Sequence, residues 1–465
     1  MKTQMHKTMS RRRFLAGCGK MTGIGAMSSI LSLKMTNKLF AARATGSITD
    51  YKGLVCLFMF GGNDSFNMLT PGVDGYSDYL DTRGILGISQ AEMHQIFDGS
   101  QDYHLSPNMG SVKTLFDNEE LSFIANVGTL IQPTSLAEYN AGSVSLPYGR
   151  FSHNDQIEQW QTSISLSKTT PFAGTGWAGR MIDVLNDAAN NNATTSVSLS
   201  PYGANTTQVG KLSSPFNTYK GVDSLDLYDT DSLVKGGMDA TLEMQYASVL
   251  HAHHNYIRED ALEQSALLED IEQNTVIATA FPDSGLGQQL LQVAKYIKAQ
   301  GPEGLNANRQ TFFVGQGGFD THGGGIEAHN GLMASVSAAL MAFNEAMKEI
   351  GYHDRVVTYT ASDFGRTLVP NSAGSDHGWG GNQMVMGGPV NGGKVFGQYP
   401  SILTETTTDV GRGRQLPTTS VDEFYASLAY WFGVENNSEM EEVVPNIRNF
   451  WTAGSSDIPI SGLFG

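Results

Sequence analysis

Four short segments combine carboxylates, histidines and glycines in a way that could hold a divalent cation. They are Gly61-Gly62-Asn63-Asp64-Ser65-Phe66-Asn67, Gly318-Phe319-Asp320-Thr321-His322, Ser362-Asp363-Phe364-Gly365-Arg366 and Gly374-Ser375-Asp376-His377-Gly378. Carboxylate and imidazole suit Zn²⁺, Mn²⁺ or Mg²⁺, and glycine lets the backbone approach a ligand closely. On this reading Asp64, Asp320, His322, Asp363 and His377 hold one or two such ions. Each residue has a plainer explanation. Asp64 and Asp363 could cap helices, Asp320 and His322 could anchor a glycine turn, and His377 could be a satisfied loop histidine. Their conjunction favours a metal, because capping has no need of histidine. His329, opening a later helix, is a further contender.

Three nucleophiles could serve such a centre. Ser152-His153-Asn154-Asp155 precedes Ile157 and Trp160 and has the letters of a capping box. A hydroxyl at a helix N-terminus also gains from the helix dipole. Ser65 is the rival, since it follows Asp64 directly. Water activated by the ion is the third option. The planar fork of Arg366 suits a phosphoryl or sulfuryl oxygen, and suits a structural ion pair equally well. No Gly-x-Ser-x-Gly elbow and no Gly-Lys-Ser/Thr phosphate loop occurs. Gly174 to Gly179 fits a dinucleotide fingerprint by letters, but it follows Thr170-Pro171-Phe172 rather than a strand, so it reads as a glycine-rich helix start.

The elements that must position these residues alternate between strand and helix. Leu54 to Phe60 is a continuous apolar run, as expected of a strand buried on both faces. Similar runs are Leu121 to Val127, Phe312 to Gly315, Val356 to Ala361 and Met384 to Met386. Leu332, Val336, Leu340, Phe343, Met347 and Ile350 recur at helical spacing. Residues 239–272, 286–299 and 421–433 are further helices. The alternation predicts an α/β fold, a doubly wound, mostly parallel sheet with helices on both faces. In such sheets ligands bind beyond the carboxyl ends of the strands, where the acidic segments fall. Residues 189–237 are rich in Ser, Thr, Asn and Gly and read as inserted loops and short strands. With the charged helix beside them they make a small insertion or cap at about 189–285.

Length and charge bound the function. The 465 residues suffice for a large single core, and 16% charged residues exclude a charged disordered chain. The net charge is −17, but residues 1–44 hold nine bases and no acid, so the rest carries 20 bases against 46 acids, or −26. Such a body repels phosphate backbones, and nucleic acid is an unsuitable partner. Cys18 and Cys56 cannot form a disulfide framework or a thiolate zinc site. Ser10-Arg11-Arg12-Arg13-Phe14-Leu15 resembles a twin-arginine export signal. A mildly apolar stretch follows, too short for a transmembrane anchor, and then Ala42-Arg43-Ala44 as a cleavage site. Residues 1–44 therefore read as a signal peptide handled by the twin-arginine export machinery. Residues 45–465 read as one α/β domain, periplasmic or extracellular.

Taken in order along nearly the whole chain, the leader and the segments quoted above, Ser152-His153 included, resemble the domain-of-unknown-function 1501 family. That family is similar to the alkaline phosphatase and sulfatase superfamily, and the resemblance implies an alkaline-phosphatase-like α/β/α fold with metal ligands at strand ends. The superfamily's first-strand acid would match Asp64. Its Asp-and-His segment would match Asp320 and His322, with His329 competing. Its Asp-His-Gly segment would match Asp363, where Phe364 replaces the histidine, and its last histidine would match His377. With one ligand missing, a single ion, a rearranged pair or a lost activity all stay open. The sulfatase-type Cys/Ser-x-Pro-x-Arg segment is also missing.

The expected function is an exported metal-dependent hydrolase of phosphate or sulfate esters, acting on a small-molecule or polymer substrate. The alternative is a non-catalytic envelope protein on a degenerate hydrolase fold, acting in surface assembly or polysaccharide handling. Changing both Arg11 and Arg12 to Lys should keep the protein in the cytoplasm with its leader attached. Cell fractionation checks this, and normal recovery outside the cytoplasm would remove the twin-arginine reading.

Overall fold

The computed structural model describes residues 48–165, 174–189, 198–219, 232–242, 244, 249–402, 404, 406–451 and 458–465. The leader and the expected cleavage site lie outside the described residues. The strands, in chain order, are β1 (Lys52–Met59), β2 (Leu69–Pro71), β3 (His94–Phe97), β4 (Asp102–Leu105), β5 (Leu121–Gly128), β6 (Ser198–Ser200) and β7 (Phe216–Asn217). There follow β8 (Arg309–Gln316), β9 (Val356–Ser362), β10 (Arg366–Pro370), β11 (Ser375–His377), β12 (Gly381–Met386), β13 (Val395–Phe396) and β14 (Thr419–Ser420).

Nine of these form one sheet in the order β13-β5-β12-β9-β1-β8-β6-β7, with β14 also paired to β5. β1 lies between β8 and β9 and is parallel to both. Its side chains alternate between two cores. Val55, Leu57 and Met59 join one cluster; Leu54, Cys56 and Phe58 join the other. A strand buried on both faces needs no polar alternation, which explains the unbroken apolar run. Met333, Val336, Leu340, Phe343 and Met347 of the Gly325–Glu349 helix cover the first face. Phe424, Tyr425, Leu428 and Phe432 of the Val421–Phe432 helix cover the second. Each such side chain contributes roughly 1.5–3 kcal/mol by leaving water. The fold is thus α/β with helices on both faces, as the patterning predicts.

One expectation is corrected. Met384 to Met386 read as another parallel strand, yet β12 runs antiparallel to both β5 and β9. A parallel return needs a crossover of a dozen or more residues, usually helical. Here residues 363–380 form the β10–β11 hairpin instead, so the chain simply turns back. The described parts of the 189–285 stretch pack on the same domain. β6 extends the main sheet against β8, and Leu268 and Ile271 of the Val249–Asn274 helix join the first core.

The helix that bears His153 is clamped from both ends. Gln159 donates to the Tyr148 carbonyl at 2.7 Å and Gln156 accepts from Thr129 at 2.7 Å. At its C-terminus the Ser163 hydroxyl donates to Asp422 at 3.1 Å. Asp422 is fully buried with its second oxygen unpartnered. Burial pushes its carboxyl up to about 8, against the smaller opposing effect of Ser163. Below about pH 4 the folded and unfolded states both hold this proton. Between about pH 4 and 8 only the folded state does, so stability falls as pH rises, on the order of 1.4 kcal/mol per unit. Above that window the slope vanishes. Asp422→Asn should remove this slope and raise the urea midpoint at pH 8 while changing it little at pH 4; equal gains at both pH values would contradict the protonated assignment.

Candidate metal centre

The parallel strands β1, β8 and β9 all end at one edge, and the loops that leave them meet there. Gly61 and Gly62 follow β1 with φ of 115° and 85°. A Cβ on Gly61 would lie 2.3 Å from the Asp320 amide nitrogen, and one on Gly62 would lie 2.4 Å from the Phe364 ring. Only glycine permits both the backbone conformation and the close approach. The β1 turn therefore packs directly against the segments carrying Asp320 and Asp363. Gly61 N–H donates to Asp363 Oδ1 at 3.1 Å, and the Gly61 carbonyl accepts from Arg366 at 3.2 Å. On the hairpin, Arg366 of β10 pairs with His377 of β11. This places the guanidinium and the imidazole side by side.

Three imidazoles converge on the Asp320 carboxylate. His322 Nε2 lies 3.1 Å and His377 Nε2 3.4 Å from Asp320 Oδ1, and His153 Nε2 lies 3.5 Å from Oδ2. Donor atoms of His153, Asp320 and His377 lie within 4.8 Å of one another. His322 Nε2 joins them 2.8 Å from His377 Nε2.

The other ring nitrogen of each histidine is committed elsewhere. His153 Nδ1 meets Asp363 Oδ2 at 2.6 Å, His322 Nδ1 meets Asp376 Oδ1 at 3.2 Å, and His377 Nδ1 meets the Phe151 carbonyl at 2.7 Å. Ionised carboxylates and carbonyls only accept, so each Nδ1 carries a proton and donates. In the neutral rings the Nε2 atoms of His153 and His377 then present lone pairs beside Asp320. His322 and His377 are at hydrogen-bond distance through their Nε2 atoms, so one of the two carries a proton there unless a bound ion separates them. His153 Nε2 is moreover buried without a hydrogen-bond partner. Orientation of a ligating imidazole by a carboxylate or carbonyl on its far nitrogen is the usual arrangement at metal sites, so the residues fit a divalent ion.

Charge around the donors is set by neighbours. Burial raises the Asp320 carboxyl, but the hydrogen bond and charge of Arg366, 2.8 Å away, outweigh it and hold the group below the usual range. The Asp363 hydrogen bond raises His153. Burial lowers His377, as do the nearby His153 and Arg366. Asp376, bonded by Asn371 and paired with Arg412 at 2.6 Å, is held down at about 2.

The residues expected from sequence divide into groups. Asp320, His322 and His377 are brought together. Asp363 stands one step behind, orienting His153. Asp64 is elsewhere, almost fully buried and ion-paired with Arg83, whose Nε also bonds Asn67. His329 is buried there too, its Nε2 donating to Asn63 at 3.0 Å, and burial lowers it to about 4. Arg366 is fully buried and committed to Asp320, Gly61 and Ser375. The Ser65 hydroxyl is buried and accepts from the Asn382 amide at 2.8 Å. Ser152 is the N-cap of the His153–Thr162 helix, yet its side chain makes no capping bond, which corrects the capping-box expectation. Gly149, at φ 58°, leaves room for Asp155 over its own Cα and draws that carboxylate toward the preceding turn. Phe364 is no ligand. Its ring packs against those of His377 and His153, with centroids 4.6 and 4.9 Å away. His153 is not among the residues expected from sequence. Its only local signal is its place beside Ser152 at a helix start.

The chain belongs to the family described as "Protein of unknown function (DUF1501)", which matches residues 51–443. No curated protein matches it. The crystal structure of Ps i-CgsB in complex with k-i-k-neocarrahexaose is similar at 10% identity and a TM-score of 0.33, over 86% of this chain and 77% of that one. The soluble domain of lipooligosaccharide phosphoethanolamine transferase A from Neisseria meningitidis is similar at 9% identity and a TM-score of 0.32, over 86% and 95%.

Zinc titrated into chelator-treated protein should bind with a stoichiometry near one. His153→Ala should abolish that binding, and Asp363→Asn should weaken it about 10–100-fold. Elemental analysis and calorimetry check this; undiminished affinity in Asp363→Asn would separate that carboxylate from the donor set.

Proposed function

We propose that this member of the DUF1501 family is an exported metal-dependent hydrolase of phosphate or sulfate esters, working outside the cytoplasm with a single divalent ion. The observation that supports this reading is the group formed by His153, Asp320 and His377, with His322 beside His377, at the open end of the sheet. Three nitrogens and one oxygen suit Zn²⁺, whereas Mg²⁺ prefers oxygen ligands and near-octahedral geometry. Phe364, packed against two of the imidazoles, removes the ligand a second ion would need and gives the centre an apolar wall.

When bound, the ion supplies Lewis acidity toward an ester oxygen and acidifies water. The chain supplies the rest. Asp363, Asp376 and the Phe151 carbonyl keep the imidazoles in one tautomer. Arg366 keeps Asp320 ionised and aimed, and is too fully bonded to grip substrate. A serine nucleophile needs a base in hydrogen-bond reach or coordination to the ion. Ser65 is buried against the Asn382 amide, and the Ser152 side chain makes no capping bond. In this proposal water is the attacking group. The alternative of a non-catalytic envelope protein draws on Phe364 standing where a ligand histidine is expected and on Asp64 being paired with Arg83.

Purified mature protein should hydrolyse an aryl phosphate or aryl sulfate, and lose that activity on chelation. Ser152→Ala and Ser65→Ala should keep turnover within about threefold, while Asp320→Ala should lower it by orders of magnitude. Loss of turnover in Ser152→Ala with unchanged metal content would reassign the nucleophile. Absence of metal together with absence of ester turnover would overturn the proposal.

A further inference from the structure

Four arginines lie on segments that touch the candidate donor residues, and two of them have no carboxylate partner among the described residues. Arg366 is taken by Asp320 and Arg412 by Asp376. Arg150 and Arg414 have no acidic partner among the described residues, although the body of the protein is strongly acidic. Both lie against Phe151, with guanidinium carbons 5.9 and 4.7 Å from its ring centre. Phe151 is tied to the donors on both sides. Its carbonyl accepts from His377, and the next residue but one is His153. Arg414 in turn donates to the His377 carbonyl at 3.0 Å.

The two side chains are held by contacts that leave charge to spare. Arg150 donates to the Pro147 carbonyl at 2.9 Å and stacks near Trp379, while its Nε is buried without a partner. Arg414 comes from a turn in which Arg412 adopts φ 62°, unusual for a residue with a side chain. Asp409 fixes that turn by accepting from the Gly411 and Gly413 amides at 2.7 and 2.9 Å. Strained turns of this kind persist where surrounding structure over-determines them. The Leu146–Ser152 segment lines a hollow of about 510 Å³ beside Arg150, and Tyr148 stands 46% exposed at its edge.

We infer that Arg150 and Arg414 form an anion subsite next to the metal donors, so that the substrate carries a second anionic group on a ring that stacks in the Leu146–Ser152 hollow. This rests on the hydrolase reading for the bond that is cleaved, but the subsite itself needs no metal. A guanidinium binds planar anionic groups through paired hydrogen bonds. An aromatic edge beside it accepts the face of a ring.

The test separates the two readings. Naphthalene-1,5-disulfonate and naphthalene-1-sulfonate, which coordinate metals weakly, are titrated by fluorescence into chelator-treated protein. The disulfonate should bind more tightly, and Arg150→Gln and Arg414→Gln should each weaken it about tenfold. Arg150→Lys and Arg414→Lys, which keep the charge but not the planar stack, should recover part of the loss, with melting temperature measured for every variant. Equal disulfonate affinity in parent and both Gln variants would overturn the subsite, whatever the metal content. If zinc fails to bind but the arginine variants still lose affinity, the subsite stands and the hydrolase reading falls. On the zinc-loaded enzyme, the Gln variants should raise KM for a doubly anionic ester more than for a singly anionic one.

Discussion

The Arg366–Asp320 pair is the contact on which the site depends. The guanidinium has no exposed surface, so it must be satisfied from within. It draws together the turn after β1 through Gly61, the loop after β8 through Asp320, and the hairpin through Ser375. A buried charge left without its partner costs about 3–5 kcal/mol. That penalty makes the three loops one unit. The pair also fixes the chemistry. Asp320 is held ionised and turned toward the three imidazoles, and its half-exposed oxygens are the group at which a ligand would arrive.

Three aspartates at strand ends have been given three roles by their neighbours. Asp320 is open and faces histidines. Asp363 is buried, and spends one oxygen on Gly61 N–H and the other on His153. Asp64 is closed off by Arg83, which also bonds Asn67, while Tyr79 donates to the same amide oxygen at 2.8 Å. A guanidinium on Asp64 supplies the positive charge that an ion would otherwise bring. The pairing leaves no need for a cation there. His329, in the same buried region, stays neutral down to about pH 4, so it adds no charge to upset this balance.

Legibility in the sequence followed the range of the interaction. The strands of the double-sided core were plain, because burial on both faces writes an uninterrupted apolar run and β1, β8 and β9 are such runs. The direction of β12 was not, since direction depends on whether the preceding connection holds a helix, and Gly374 to Gly381 carries no helical period to decide it. Asp320, His322 and His377 were legible because histidines beside glycines on loops have few structural duties. Asp64 looked equivalent to them, and only Arg83, nineteen positions later, distinguishes it. His153 was hidden because its partner Asp363 lies 210 residues away. Nothing local marks an imidazole whose tautomer is set across the fold.

Electrostatics then bears on what such a centre could accept. A body with an excess of 26 acids attracts cations from solution and repels anions at long range. At physiological ionic strength, however, that field is screened beyond about 8 Å. What an anion meets near Asp320 is therefore decided by the groups within that distance. Arg366 is paired with Asp320 and Arg412 with Asp376, while Arg150 and Arg414 pack on Phe151, whose carbonyl bonds His377. Arginine is suited to this place because its guanidinium is weakly hydrated and stacks on rings without losing its hydrogen-bonding edge. The candidate donors and the two proposed anion-binding arginines share one physical support, the Phe151 segment. Its carbonyl orients His377 while its ring carries the two arginines, so a displacement of that segment would disturb donor geometry and anion recognition together.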